Sequence, residues 1–479
     1  MEEFAPKKAL NILLADLQEP AADLFVECIP AANPPQPGSP SKSVGEIILE
    51  LQPDGRKKII VSLGDLSKIK TDTYRQAGGL LAQWLVKTKA VKVDLDLDQI
   101  STAIHPAAQS ALLEGLWLGA YAFTTFKNSN QEQKTPTVLV RTRLSKDVAA
   151  KMLSEKEIIT SAVNLAREWG HLPANIINPI TLAQRAEWLA AEYGMKCTVI
   201  DDAKLLEMGA NAIVDVGKGS KTPSRLILLE YTGKDVNPDE KPVILVGKAL
   251  TFDSGGYSMK DPTNMCSMKY DKCGGVAVLA IMMAVARLKL PVSLVGVVAA
   301  AENMVSDLSY RPDDIVRTLS GKTVEIISTD AEGRLVLADA LTYAQQLFQP
   351  RAVIDMATLT GGVLTALGRV RAGLMANDDA LAEQLMQSGD ATAERLWRLP
   401  LDEEYGEAVK GDDADLKNSG GREGHCILGG MFLKQFVDDS IPWAHIDIAA
   451  MADSPKNLPY STKGATGFGI RLVVDYLSR

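Results

Sequence analysis

The stretch TDAEGRL, residues 329–335, sets Asp330, Glu332 and Arg334 between the apolar run KTVEIIS and the helix-like VLADALTYAQQL. Upstream, PVILVG leads to Lys248, ALTFDSGGYSMK supplies Asp253 and Lys260, and MKYDKCGG supplies Asp271. Alternate side chains of an extended segment share a face, so Asp330 and Glu332 are expected to point the same way. Gly333 then lets the backbone turn, and Arg334 enters the helix. If a sheet gathers these loops, four carboxylates meet three cationic side chains. Carboxylates crowded in one apolar-walled cleft repel one another unless divalent cations neutralise them. Bridging of two metals ~3.5–4 Å apart is the usual arrangement of a co-catalytic hydrolase site. Lysine joins such a set only as the neutral amine, which desolvation beside dications favours.

Each residue taken singly has a plainer reading. A lysine after a strand is usually solvated, an aspartate before SGG forms turns, and Asp-x-Glu commonly complements a helix N-terminus. DSGG without the P-loop lysine and Ser/Thr is a poor phosphate cradle. Only the joint pattern points to a metal site.

The elements that must position these residues are strands and helices in alternation. ALNILLADL, KKIIVSLGDL, VKVDLDL and TPTVLVRTRL read as strands, and TYRQAGGLLAQWLVKTKA and HPAAQSALLEGLWLGAYAFTTF as helices. PAANPPQPGSPSKS reads as a surface loop between them. SEKEIITSAVNLAREWGHL reads as a connecting helix, with Ser154 as its N-cap and Glu157 three residues on. Beyond it KPVILVG, VSLVGVVAAA, KTVEIIS and RAVIDMATL have the composition of strands buried on both faces, and GGVAVLAIMMAVARL and LVLADALTYAQQL that of intervening helices. The expected fold is α/β in two domains. A smaller N-terminal α/β scaffold domain spans 1–150 and a connecting helix 151–172. The larger C-terminal catalytic domain, 173–479, is built on a central mixed, mostly parallel sheet flanked by helices.

With 479 residues, 46% of them hydrophobic and 23% charged, the chain has ample core for two domains. Its formal net charge of −9 disfavours non-specific binding to nucleic acid or anionic membrane. The start, MEEFAPKKALNILLADL, is acidic and lacks a signal-like apolar run, and no stretch reaches the ~20 apolar residues of a membrane span. The five cysteines are scattered without a CxxC pair, which fits a reduced, cytoplasmic setting. The four histidines are equally dispersed, so any metal must be held mainly by other ligands. His445 reads as a core histidine and His425 as a surface residue without a role.

The assembly VGKALTFDSGGYSMK, MKYDKCGG and TDAEGRLVLADAL resembles the leucyl aminopeptidase family of two-metal exopeptidases. NLAREW, ENM, YRPDDIV, ATLTGG, WRLPL, WAHIDIA and KGATGFGIR extend the resemblance to the C-terminus. It implies that Lys248, Asp253, Asp271, Asp330 and Glu332 bind two divalent ions, with Asp253 and Glu332 bridging. Manganese, zinc or magnesium could fill the sites. A water bridging the pair would be the nucleophile. Lys260 would polarise the scissile carbonyl, and Arg334 would hold a bicarbonate acting as general base. The substrate's free amine would bind one metal, restricting release to N-terminal residues. Met268, Ala449 and Ala452 match positions lining the first side chain's pocket, suited to leucine or methionine. Backbone groups of Leu359 and Gly361 would bond the substrate. The family's hexamer, with its interior cavity, implies short peptides as substrates.

The chain departs from the family pattern at Cys266-Ser267, where an acidic pair is usual, at Lys272, which commonly is methionine, and at Ser328, commonly asparagine. These bear on metal affinity and substrate preference, and Lys272 is expected to point away from Asp271. One competing reading is a binding or regulatory protein on the same scaffold, and the complete ligand set counts against it. A weaker one is nucleic-acid binding through a basic surface such as Arg56, Lys57 and Lys58, which the net charge disfavours.

Overall fold

A computed structural model of the chain describes residues 5–15, 21–32, 39–100, 105–128, 135–237 and 239–479. The core of the segment expected as a Pro/Ser-rich loop, 33–38, lies outside the described residues. The described chain divides into two compact units, one of residues 6–164 with Ser454–Gly464, the other of 165–453 with 465–479.

The N-terminal unit holds β1 (Asn11–Leu14), β2 (Leu24–Ile29), β3 (Ile47–Leu51), β4 (Lys57–Ser62), β5 (Lys92–Asp96) and β6 (Thr137–Arg141). Their order is β1-β6-β5-β2-β4-β3, parallel except where β3 meets β4. The helices Thr71–Thr88 and Ala108–Ala120 pack backbone to backbone. A Cβ on Gly78 would lie 2.2 Å from the Leu112 carbonyl, and one on Gly115 2.0 Å from that of Arg75. Between them Arg75 Nε donates to Glu114 Oε1 at 2.9 Å, both side chains buried. Pairing with hydrogen bonds is what makes such burial tolerable.

The division between units falls within the helix Lys146–His171, which starts earlier than the sequence reading placed it. Ser154 is interior to that helix and not its N-cap. The apolar spacing continues upstream through the buried Ala149, and Ser145 Oγ accepts from the amide of Val148 at 3.4 Å.

In the larger unit β7 (Lys196–Asp201), β8 (Arg225–Thr232), β9 (Val243–Asp253) and β10 (Ser293–Asn303) come first. β11 (Ile315–Arg317), β12 (Thr323–Glu325), β13 (Ala352–Ala357), β14 (Ala372–Ala376), β15 (Leu396–Arg398), β16 (Leu416–Lys417) and β17 (Trp443–Asp447) follow. The central sheet runs β15-β14-β17-β13-β9-β10-β8-β7. Its middle, β17-β13-β9-β10, is parallel, and β8, β7 and the β14–β17 pair are antiparallel. Along β9, Ile244, Val246 and Leu250 join one apolar core with the helix Gly333–Phe348. The alternate residue Gly247 meets the helix Cys273–Leu288, where a Cβ would fall 2.5 Å from Gly275 Cα. A period of two thus puts one helix on each face.

KTVEIIS does not join this sheet. Only Thr323–Glu325 is a strand, in a separate three-stranded sheet of order β11-β12-β16. Its flanks are polar: Thr323 Oγ1 donates to Asp415 Oδ2 at 2.9 Å, and Glu325 Oε2 accepts from the amide of Asp412 at 3.1 Å. A strand covered on both faces has no room for such side chains.

Candidate metal centre

The carboxyl ends of β10, β9, β13 and β17 lie side by side, the place where open α/β sheets gather ligands. Asp253 ends β9 and Asn303 ends β10, paired in register. Asp253 Oδ1 accepts from the Gly255 amide at 2.9 Å and from Asn303 Nδ2 at 2.8 Å, which leaves Oδ2 facing Lys260 Nζ at 2.8 Å. Gly255 (φ 84°) and Gly256 (φ 62°) turn the chain in the left-handed region, which brings Lys260 back to Asp253. Lys260 also pairs closely with Asp330.

Lys248 projects from β9 toward the helix that carries TDAEGRL. Its ammonium lies 2.9 Å from both Asp271 Oδ2 and Glu332 Oε1, and donates to the Thr358 carbonyl at 2.9 Å. A Cβ on Gly333 would lie 2.6 Å from Lys248 Nζ, so the glycine makes room for the lysine. Asp271 sits in the tight turn Met268–Lys272, held by Thr358 Oγ1 donating to its Oδ1 at 2.7 Å. That turn is pressed onto the sheet because the second residue of the next helix is Gly274, where a Cβ would fall 2.2 Å from the Met356 carbonyl.

Asp330 and Glu332 do converge, but not through an extended segment. Asp330 lies in a turn and Glu332 has helical dihedrals (φ −75°, ψ −35°). Ligand oxygens of Asp253, Asp330 and Glu332 fall within 4.8 Å of one another, an arrangement able to hold a cation. Burial, reinforced by Asp253, pushes the Glu332 carboxyl up to about 8. Burial likewise lifts Asp271 to about 6 and raises Asp330. For Lys248 burial opposes the charge, yet Asp271, Glu332 and Asp253 hold it above the ordinary lysine value. Lys260 is raised in the same way, chiefly by Asp253 against burial. Glu332 Oε2 is buried with no hydrogen-bond partner among the described residues. An orphaned carboxylate oxygen, facing a nest of other carboxylates, is what a multivalent cation would satisfy, so the donor set fits one.

Arg334 is buried beneath the helix His425–Lys434, over the Phe432 ring at 5.9 Å. Nη1 donates to the Asn418 carbonyl at 2.6 Å, and Nε is buried without a partner among the described residues. Burial lowers the guanidinium to about 10, which leaves it charged at neutral pH. Leu359 and Ala449 meet through Asp447, whose Oδ1 accepts both amides at 3.1 Å and whose Oδ2 accepts from Thr360 Oγ1 at 2.6 Å. Gly361 opens the short helix Gly361–Leu367, and Met268 is half-buried at the start of the Asp271 turn. Ala452 is only 2% exposed and offers little surface to a ligand.

Lys272 points away from the carboxylates. It donates to the Gly170 and Leu172 carbonyls at 3.1 and 2.8 Å, and burial lowers it to about 7. Cys266 is exposed, and Ser267 adopts the left-handed conformation (φ 89°). His445 is buried with Nδ1 2.5 Å from Asp355 Oδ1, and its Nε2 has no partner among the described residues. His425 is half-buried rather than a plain surface residue. Sequence reasoning missed the second layer of Asn303, Thr358, Asn418 and Asp447. Their positions at or just beyond strand ends were the available signal.

Carboxylates and lysines convergent at the carboxyl edge of a mixed α/β sheet define a metal-dependent hydrolase. Residues 164–474 match the catalytic domain of the cytosol aminopeptidase family, and residues 43–130 match that family's N-terminal domain. A probable cytosol aminopeptidase of Geobacter sulfurreducens is 44% identical over 422 residues, 88% of this chain and 84% of that protein. Its counterpart from Aquifex aeolicus is 42% identical over 423 residues, again 88% of this chain and 84% of the relative. Among solved structures, the bottromycin maturation enzyme BotP in complex with Mn superposes with a TM-score of 0.86 at 32% identity, covering 96% of this chain and 99% of that one. A mutant of tomato leucine aminopeptidase gives 0.86 at 29% identity, covering 99% and 97%. The chain belongs to the cytosol aminopeptidase family and is a metal-dependent aminopeptidase.

Proposed function

We propose that the acid nest holds two divalent ions and that the enzyme releases leucine and other apolar N-terminal residues from short peptides. The observation that carries this is the convergence of Asp253, Asp330 and Glu332 within 4.8 Å, with Glu332 Oε2 buried and unpartnered. Asp253, Glu332, Lys248, Asp271 and Asp330 would hold the ions, with Asp253 and Glu332 contributing to both. Manganese, zinc or magnesium fits this oxygen-rich donor set. The ions, when bound, supply an activated water and a Lewis acid. With the ions bound, Lys248 would contribute as a neutral amine, because dications would then be the counter-charge to Asp271 and Glu332.

Lys260, kept protonated by Asp253 and Asp330, donates to the oxygen of the scissile carbonyl as negative charge develops there. Arg334, whose Nε has no partner among the described residues, would hold a small oxyanion such as bicarbonate, which when bound would supply a general base. Backbone groups of Leu359 and Gly361 align the peptide, with Asp447 fixing that loop. Met268 and Ala449, with Ala452 behind them, wall the pocket for the first side chain.

The N-terminal unit serves as scaffold, and the assembly is a homohexamer in the cytoplasm. Tyr257, Met259, Val305 and Leu308 are large apolar side chains 39–66% exposed on neighbouring loops, a surface a second copy would cover. Tyr257 joins those loops by donating to the Ser306 carbonyl at 2.9 Å. Among the described residues no helix is long and apolar enough to cross a membrane.

Purified protein supplied with manganese or zinc should hydrolyse leucine p-nitroanilide, and a chelator should abolish this. Glu332→Ala should cut turnover by ~10³-fold or more and lower the bound metal per subunit. Full turnover and two retained ions in that variant would remove the bridging role. Sedimentation should give six copies, and Leu308→Asp should break them apart.

A further inference from the structure

The helix His425–Lys434 starts beside this site, directly after Gly424 in the left-handed conformation (φ 59°). His425 and Gly429, four residues apart, share one face of it. That face lies on the loop Leu359–Gly362 and on Arg334. A Cβ on Gly362 would fall 2.9 Å from His425 Cβ and 3.3 Å from its Nδ1. One on Gly429 would fall 3.1 Å from the Leu359 side chain and 3.8 Å from Arg334 Nη2. Neither ring nitrogen of His425 has a hydrogen-bond partner among the described residues, so the imidazole is free to meet a ligand.

The charged groups facing it are Arg334 from the helix Gly333–Phe348 and Asp447 from the end of β17. The helix Gly361–Leu367 brings no titratable side chain, and the Tyr405 ring stands by Gly424, 3.6 Å from where a Cβ would be. Burial and then Arg334 hold the imidazole below the ordinary histidine value, with Asp447 opposing them. It is therefore neutral at neutral pH.

On the reading that Arg334 holds an oxyanion, we propose that His425 is a second, switchable cationic member of the same clamp. With the imidazole neutral, Arg334 faces the anion alone. With it charged, two cations flank the anion, and affinity rises as the pH falls. An anion bound there in turn favours the imidazolium, so ligand and proton bind with mutual gain. A second charge beside the anion, partly screened by solvent, is expected to strengthen binding about tenfold.

The test uses the full-length protein without metal and sulfate as the probe, since sulfate stays ionised from pH 5 to 8. Calorimetry should show sulfate binding tightening about tenfold more between pH 8 and pH 5 in the wild type than in His425→Gln. His425→Lys should bind tightly across the range. The ring-proton titration of His425 followed by NMR should move to higher pH on adding sulfate. Equal pH dependence in the wild type and His425→Gln, or a titration unmoved by sulfate, overturns the inference while leaving the Arg334 clamp standing. Sulfate binding of full strength in Arg334→Ala overturns the clamp itself and leaves an adventitious ion only.

Discussion

Lys248 and Lys272 are both buried, 2% and 0% exposed, and both stand within reach of the chain around Asp271. One is held above the ordinary lysine value and the other falls to about 7. Desolvation opposes charge at each. The difference is the company: Lys248 faces Asp271 and Glu332, whereas Lys272 donates to the carbonyls of Gly170, Leu172 and Lys269 and has the like charges of Lys269 and Arg185 nearby. Carbonyl dipoles satisfy its protons without neutralising its charge. Burial alone therefore says little about a lysine's charge state, and the formal charges around it decide. The acid nest keeps its lysines charged until stronger cations take over, while the carbonyl cage makes Lys272 a packing element.

The largest expected effect that would break this contrast is Lys248→Met. It leaves buried carboxylates without a counter-charge and should destabilise the metal-free protein by about 3–5 kcal/mol, measured by denaturant unfolding. A loss below ~1 kcal/mol would mean the nest is protonated rather than ion-paired. Lys260→Ala should lower kcat by about 10²–10³, equivalent to ~2.7–4 kcal/mol, with little change in KM. A change confined to KM would make Lys260 a substrate binder only.

Lys272→Met sharpens the contrast through pH. A lysine lowered to about 7 in the folded state and ordinary when unfolded gives a folded protein that binds fewer protons between those values. Stability of the wild type should then rise with pH above about 7, by at most ~1.4 kcal/mol per unit. Lys272→Met should remove that slope, and an unchanged slope would show the ammonium persisting among its carbonyls.

The smallest effect concerns Asp339, a buried acid with no cationic partner among the described residues. It accepts from the amides of Ile213 and Leu319 at 3.1 and 2.8 Å, yet burial lifts it to about 7. Raised above its unfolded value, it should make the wild type lose stability as pH rises from about 4 to about 7. Asp339→Asn should flatten that decline, seen in thermal melts across the range. A decline that persists would assign it to Glu332 and Asp271 instead.

Much of the site was legible because its chemistry depends on residue types that are costly to bury. Four acids and two lysines leaving apolar strands have few stable arrangements other than a paired, metal-binding nest. The strand leading to Asp253 and the helix after Asp271 followed from apolar composition and helical spacing. What misled the reading was local likeness. KTVEIIS has a strand's composition but belongs to a side sheet, and Ser154 has a cap's context within an unbroken helix. His425 gave no signal, since its meaning depends on Gly362 and Arg334, more than sixty residues away in sequence.

Residue identity and spacing by themselves determined the α/β alternation, the ligand types and the reaction class, because hydrophobic period and charge cost act along the chain. Only the tertiary structure decided which carboxylate oxygen Asn303 occupies, which lysine sits among acids and which among carbonyls, and what His425 faces. Those outcomes depend on distances of a few ångströms between segments far apart in sequence, where electrostatic energy changes fastest and local pattern carries no information.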